Sequence, residues 1–223
     1  MDEKLFKVII VGDSLVGKTA FVQQYVHSRF DENYKVTVGV DFALKKIQRS
    51  EEELIRIQLW DIAGGSCAQF LDECEHGQER YSSLTRVYYR DASACVIMFD
   101  ITSPKTFKSV VRWKNDVDSK VFLRDMNPVP CLLLANKTDL DDDRISDEEI
   151  KKMSQDLNFV GWSKISVKDN LNVEQPMMFL VEEILARHQS RGRGSIIGDF
   201  TDEDGRIKLP HNFDKQTKCC WVL

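Results

Sequence analysis

Five apolar runs punctuate the chain, Leu5 to Val11, Asp41 to Ile47, Leu54 to Trp60, Cys95 to Asp100 and Pro130 to Asn136, each of strand length. Between and after them, apolar positions recur at helical spacing: after residue 18, around Phe107 to Val121, from Asp147 to Leu157 and from Asn172 to His188. Strands alternating with helices require crossover connections, which predicts a doubly wound α/β domain built on a mostly parallel sheet with helices on both faces. Only Gln48 to Glu53 separate the second run from the third. That is too short for a crossover, so these two strands are expected to form an antiparallel hairpin at one edge. A further short apolar run ahead of Ser166 makes the sheet six-stranded, and ligands should bind at the carboxyl ends of its strands.

From Arg191 onward the periodicity fades into Gly, Asp, Thr and Lys. The division expected is a domain over 1–190, then a flexible tail over 191–223. The tail closes on Cys220-Trp221-Val222-Leu223, a C-a-a-X pattern whose final Leu favours a geranylgeranyl group, with Cys219 as a second acceptor. Two lipid signals hold a protein on a bilayer far better than one. The apolar run after the charged start, Met1 to Lys4, is too short for a signal peptide or a membrane span, which implies a cytosolic chain.

Charge then narrows the partners. Lys and Arg number 31 against 36 Asp and Glu, a net charge of -5, and no basic stripe offers a surface to nucleic acid. None of the six cysteines forms paired C-x-x-C motifs at zinc spacing, and Cys95 and Cys131 sit inside apolar runs as expected of reduced core thiols.

The chemistry starts at Gly12-Asp13-Ser14-Leu15-Val16-Gly17-Lys18-Thr19, a G-x-x-x-x-G-K-[ST] string between the first strand and the first helix. Its glycines let successive N–H groups point inward at phosphates, and the helix beginning near Lys18 adds its positive end. Lys18 supplies a point charge and Thr19 a hydroxyl for Mg2+, so Asp13 through Ala20 form a phosphate-binding loop of the P-loop NTPase type. Asn136-Lys137-Thr138-Asp139 follows a strongly apolar strand. An aspartate there can accept from both the N1–H and the 2-amino group of guanine, whereas adenine leaves it poorly paired. Ser166-Val167-Lys168 would close over the base. Asp61-Ile62-Ala63-Gly64 ends the third run, giving Asp61 a route to the metal and Gly64 an N–H for the third phosphate. Thr37 lies in a loop that folds over Mg2+ when that phosphate is present.

Together the phosphate loop, Thr37, Trp60 to Gly64, Gln78, and the Asn136 and Ser166 strings resemble the motif set of a Ras-superfamily small GTPase. Val38-Gly39-Val40-Asp41-Phe42, Tyr81-Ser82-Ser83-Leu84, Tyr88-Tyr89-Arg90-Asp91-Ala92 and Phe99-Asp100-Ile101-Thr102 resemble the Rab branch. Within it, Asp41 to Lys45 with Trp60 to Gly64 resemble the group serving lysosomes, melanosomes and related organelles. The likeness covers residues 4–188 apart from one insertion. It implies GTP and GDP as ligands with Mg2+ held by Thr19, Thr37 and Asp61, a water positioned by Gln78, and Phe30 stacked on guanine. It also implies an effector-reading patch of Phe42, Trp60 and Tyr81, and partners comprising effector proteins, an exchange factor, a GTPase-activating protein, a GDP-dissociation inhibitor and the prenylation machinery. A monomer follows, anchored at Cys219 and Cys220 to the cytoplasmic face of endosomal, Golgi or lysosome-related membranes, with a cytosolic pool.

Two features depart from that pattern. Thirteen residues, Gly65 to Gly77, stand between Gly64 and Gln78. Loop closure depends weakly on length, so the fold should survive. Water placement is less forgiving, since an error of about 1 Å can cost two orders of magnitude in rate. Within the insert Cys67, Phe70, Leu71 and Cys74 fall on one helical face behind a Ser66/Gln69 capping box, so a short amphipathic helix and a disordered loop stand as equal alternatives. Leu15 occupies a position where many relatives carry a small residue, and its side chain would crowd an activator's arginine. These departures set the leading expectation, a slowly hydrolysing switch, against a GTP-loaded scaffold without useful turnover. An ATP-using P-loop kinase is a third class, separable by nucleotide competition.

Overall fold

The computed structural model describes residues 2–31, 37, 39–63, 87–123, 126–140, 142, 144–189 and 201–207. The insert 65–77, Gly64, Gln78, Tyr81, Cys219 and Cys220 lie outside the described residues, so the expectations placed on them stand as they were.

Six strands form one sheet: β1 (Asp2–Val11), β2 (Val40–Gln48), β3 (Glu53–Ile62), β4 (Ala94–Asp100), β5 (Cys131–Asn136) and β6 (Gly161–Lys164). Their spatial order is β2-β3-β1-β4-β5-β6. β2 pairs antiparallel with β3 and every other neighbouring pair is parallel, as the short connection over residues 49–52 requires. Ser50 closes that turn by accepting from the backbone of Glu52 and Glu53. The pairing carries β1 back to Asp2, opposite Glu53, and β3 forward to Ile62. Asp61 therefore lies inside a strand, opposite Ile10 and Asp41, rather than in the turn after it.

The central strands read as continuous apolar runs because both of their faces are covered; every residue of β4 and β5 is buried. Alternation divides their side chains between two cores. Val8, Ile10, Val96, Leu132 and Leu134 join Phe21, Leu180 and Ile184 in one, while Ile9, Val11, Ile97 and Leu133 join Trp113, Val117 and Ile150 in the other. Cys95 and Cys131 sit opposite one another in the second core as free, buried thiols.

The helices are α1 (Lys18–His27), α2 (Pro104–Lys120), α3 (Asp147–Asp156) and α4 (Glu174–Gln189). α2 begins earlier than its apolar stripe suggests, because Pro104 occupies the first turn, where a missing N–H costs nothing. α3 starts on a capping box in which Ser146 and Glu149 satisfy each other's backbone, with Asp147, Glu148 and Glu149 at the positive end. Ser28 stops α1 in the left-handed conformation, its N–H returned to Gln24. No helix among the described residues is long and apolar enough to cross a membrane.

Candidate functional site

The carboxyl ends of β1, β3, β4 and β5 open onto one place, and the first loop there is the phosphate loop. Gly12 has φ +145°, and a Cβ on it would stand 2.2 Å from the Met98 carbonyl oxygen of β4. Gly17, the residue capping α1, has φ +98° and would place a Cβ 2.4 Å from Asn136 Nδ2. Both glycines are thus required by close approach as well as by conformation. No side chain caps α1, so its first N–H groups face the loop's interior, a ready anion site. Lys18 is buried and its ammonium donates to the carbonyls of Gly12 and Asp13 at 2.9 and 2.8 Å, which holds a positive charge over the loop.

Three oxygens from separate segments meet beside it. Thr19 Oγ1 donates to Asp61 Oδ2 at 2.5 Å, and the Thr37 hydroxyl lies 2.7 Å from the Thr19 hydroxyl. Either hydroxyl can supply the hydrogen between the two threonines, and Thr37 like Thr19 bears on the Asp61 carboxyl as a side-chain hydrogen-bond partner. Asp61 is 1% exposed, and its Oδ1 is buried without a hydrogen-bond partner among the described residues. Burial pushes the Asp61 carboxyl above the usual range, and the Thr19 hydroxyl and Lys18 ammonium pull it back only in part. A buried carboxylate oxygen left unsatisfied next to two hydroxyls is a hard donor set of the kind Mg2+ takes, so these residues fit that ion.

Across the site, Asn136 ties two loops together. Its Nδ2 donates to the Val16 carbonyl at 2.9 Å, and its Oδ1 accepts from the Val167 N–H at 3.2 Å. The sequence assigns Asn136 to the base; in the fold its amide joins the phosphate loop to the Ser166-Val167-Lys168 loop. Ser166 Oγ donates to Asp139 Oδ1 at 2.7 Å and accepts from the Asp169 N–H at 3.0 Å. Lys137 stands in the left-handed region, φ 72°, and pairs with Asp100 at 2.6 Å. Burial raises the Asp100 carboxyl, but the bonds from Lys137 and Thr102 together outweigh it and hold the group below its ordinary value. Val167 is buried and Lys168 exposed, while Phe30, assigned to the base, is 36% exposed.

At the other edge Phe42 and Trp60 are register partners, their rings 6.2 Å apart. Phe42 is 65% exposed, and the Lys7 ammonium sits 3.8 Å above the Trp60 ring. Leu15, at φ 67° and 61% exposed, points its side chain largely into solvent. The motif reading expected the helix α2 but missed what it brings to the site. Trp113 Nε1 donates to Asp13 Oδ1 at 2.8 Å, and Arg112 reaches the same oxygen at 3.3 Å. The one available signal was an indole on a buried helical stripe, since a buried indole N–H needs an acceptor.

Fold and site together define a phosphate-loop nucleotide-binding protein. A Ras family model matches residues 7–186. "Ras-related protein Rab-7L1" of Rattus norvegicus is 51% identical over 183 residues, 82% of this chain and 83% of the relative. "Ras-related protein Rab-32" of Homo sapiens is 44% identical over 225 residues, 98% of this chain and 90% of the relative. The chain belongs to the Ras family and is similar to its Rab-type small GTPases.

Proposed function

We propose that the chain is a GTP/GDP-dependent switch that recruits effectors in vesicle and membrane traffic to lysosome-related organelles, with slow intrinsic hydrolysis. One observation carries the reading: the oxygens of Thr19, Thr37 and Asp61 converge beside the Lys18 ammonium and the uncapped start of α1. That combination suits an anion of several phosphates with a divalent cation. Bound Mg2+ would neutralise charge on the outer phosphates, held through Thr19, Thr37 and Asp61. Thr37 belongs to a connection between α1 and β2, so losing its contact with Thr19 is a direct way to report loss of the third phosphate. Gly64 is its counterpart at the end of β3. Asp139, oriented by Ser166, accepts the guanine edge while Phe30 and Lys168 flank the base; Gln78 orients the attacking water.

Competition binding tests the base: GTP and GDP should displace a labelled guanine nucleotide, and ATP should fail. Tight ATP binding would sink the guanine reading. A scaffold without turnover is the second reading, favoured by Leu15 beside the site of third-phosphate chemistry. Single-turnover hydrolysis of the full chain and of a variant lacking residues 65–77 separates the two. A faster deletion variant supports a switch slowed by its insert; equal rates remove the insert's penalty.

Phe42, Trp60 and Tyr81 form the effector patch, and activation runs through an exchange factor. Inactivation runs through a GTPase-activating protein impeded by Leu15. Prenylation at Cys219 and Cys220 holds the monomer on the cytoplasmic face of endosomal, Golgi or lysosome-related membranes, and a GDP-dissociation inhibitor maintains the cytosolic pool. Changing both cysteines to Ser should leave the protein in the soluble fraction of cells; persistent membrane association would refute the anchor.

A further inference from the structure

β6 has four residues and borrows its ladder from β5 on one side only. Its outer edge is met by residues 201–207, in the stretch expected to be a flexible tail. The Trp162 N–H donates to the Gly205 carbonyl at 3.2 Å, the Ile207 N–H donates to the Trp162 carbonyl at 3.0 Å, and Trp162 Nε1 donates to the Asp204 carbonyl at 3.0 Å. A tight turn prepares this edge: Asp202 Oδ1 accepts from the N–H groups of Asp204 and Arg206, and Gly205 turns at φ +72°. Ile207 is 7% exposed and packs where position 161 lacks a side chain; a Cβ there would stand 3.0 Å from Ile207 Cγ1. Charge closes the seam, with Lys151 paired to Asp204 and Arg206 to Asp147 at 3.3 Å.

β6 leads straight into the base loop. Ile165 donates to the Ala135 carbonyl at 2.8 Å, and the next two residues make the bonds to Asp139 and Asn136. A four-residue strand paired on one side opens at low cost, and whatever pairs its free edge raises that cost. We propose that Asp202–Ile207 is a clamp that completes the edge of β6, so that Ile207 and Asp204 are positioning residues for the guanine loop and slow nucleotide release. The proposal rests on the guanine reading above.

The test uses the full chain with I207D and, as the conservative control, I207V. Release of a fluorescent GDP should speed up about five-fold in I207D, the effect of losing roughly one net hydrogen bond, and stay at the wild-type rate in I207V. Hydrogen exchange on the same samples should show lost protection at Trp162, Ile207 and residues 166–168, with the amides of the phosphate loop protected as before. Two results overturn the proposal: amide protection at Trp162 and Ile207 falls while GDP release is unchanged, or I207D leaves that protection intact. Failure of the wild-type chain to hold GDP overturns the guanine reading instead, and is recognised because the exchange difference between I207D and wild type then persists without a nucleotide.

Discussion

Leu15 holds a left-handed backbone conformation that costs a branched residue about 1–2 kcal/mol relative to glycine. Leu15→Gly should therefore raise the unfolding free energy measured by urea titration, by up to about 1 kcal/mol once the extra freedom of glycine in the unfolded chain is set against the gain. The same change would open the space beside the third phosphate, so hydrolysis stimulated by an activating protein should rise. Unchanged stimulation would show that Leu15 obstructs nothing. Trp113→Phe removes the N–H to Asp13 and also leaves a cavity where the larger indole filled the second core. Nucleotide affinity should drop about five-fold, the worth of one hydrogen bond, and thermal unfolding should come earlier; an affinity unchanged in the face of that destabilisation would show that the indole only packs. Asp100 carries a pH signature. Its carboxyl is held below its ordinary value, so its contribution is present above the unfolded-state value and is lost as pH falls through the lower folded-state value. Asp100→Asn should flatten the acid limb of a stability against pH curve; an unchanged limb would remove the pair with Lys137 as its source.

Elements show where pattern reading has purchase. The buried runs of β4 and β5 and the short connection between β2 and β3 were legible because burial on both faces and loop length each permit few arrangements. Strand ends were not, since Asp2 and Asp61 are strand residues only by virtue of partners far away in sequence. Position within β3 matters for Asp61: a strand residue packed beside β1 and β2 has its carboxylate fixed, whereas one in a turn would swing. On the hairpin, Phe42 is mostly exposed beside Trp60. Phe42→Ala should cost less than about 1 kcal/mol of stability, as exposed substitutions do, yet remove capture by a GTP-state effector. Parallel losses of both would make the aromatic pair a packing feature.

At the scale of the whole molecule, the nucleotide-site motifs could be ordered from sequence because each is a local string at a strand end. The ties between them could not. Asn136 bridging Val16 and Val167, and Trp113 reaching Asp13, depend on which strand lies beside which. Residues 201–207 were read as tail for the same reason: six polar and small residues before a single Ile carry no periodicity, and Ile207 gains its meaning only from the missing side chain at Gly161.

That seam also sets a leash. Cys219 lies thirty residues beyond Gln189 but only twelve beyond Ile207. Twelve residues extend to about 40 Å and thirty to about 100 Å at full stretch. With Ile207 seated, a lipid on Cys219 would keep the β6 edge within about 40 Å of the bilayer. Phe42, on β2 at the opposite edge, is five strand spacings from β6 and Trp60, on β3, is four, about 24 and 19 Å away across the sheet. The tether would then leave the domain from the guanine side, away from the aromatic face; with Ile207 unseated it would start at the end of α4 and reach more than twice as far.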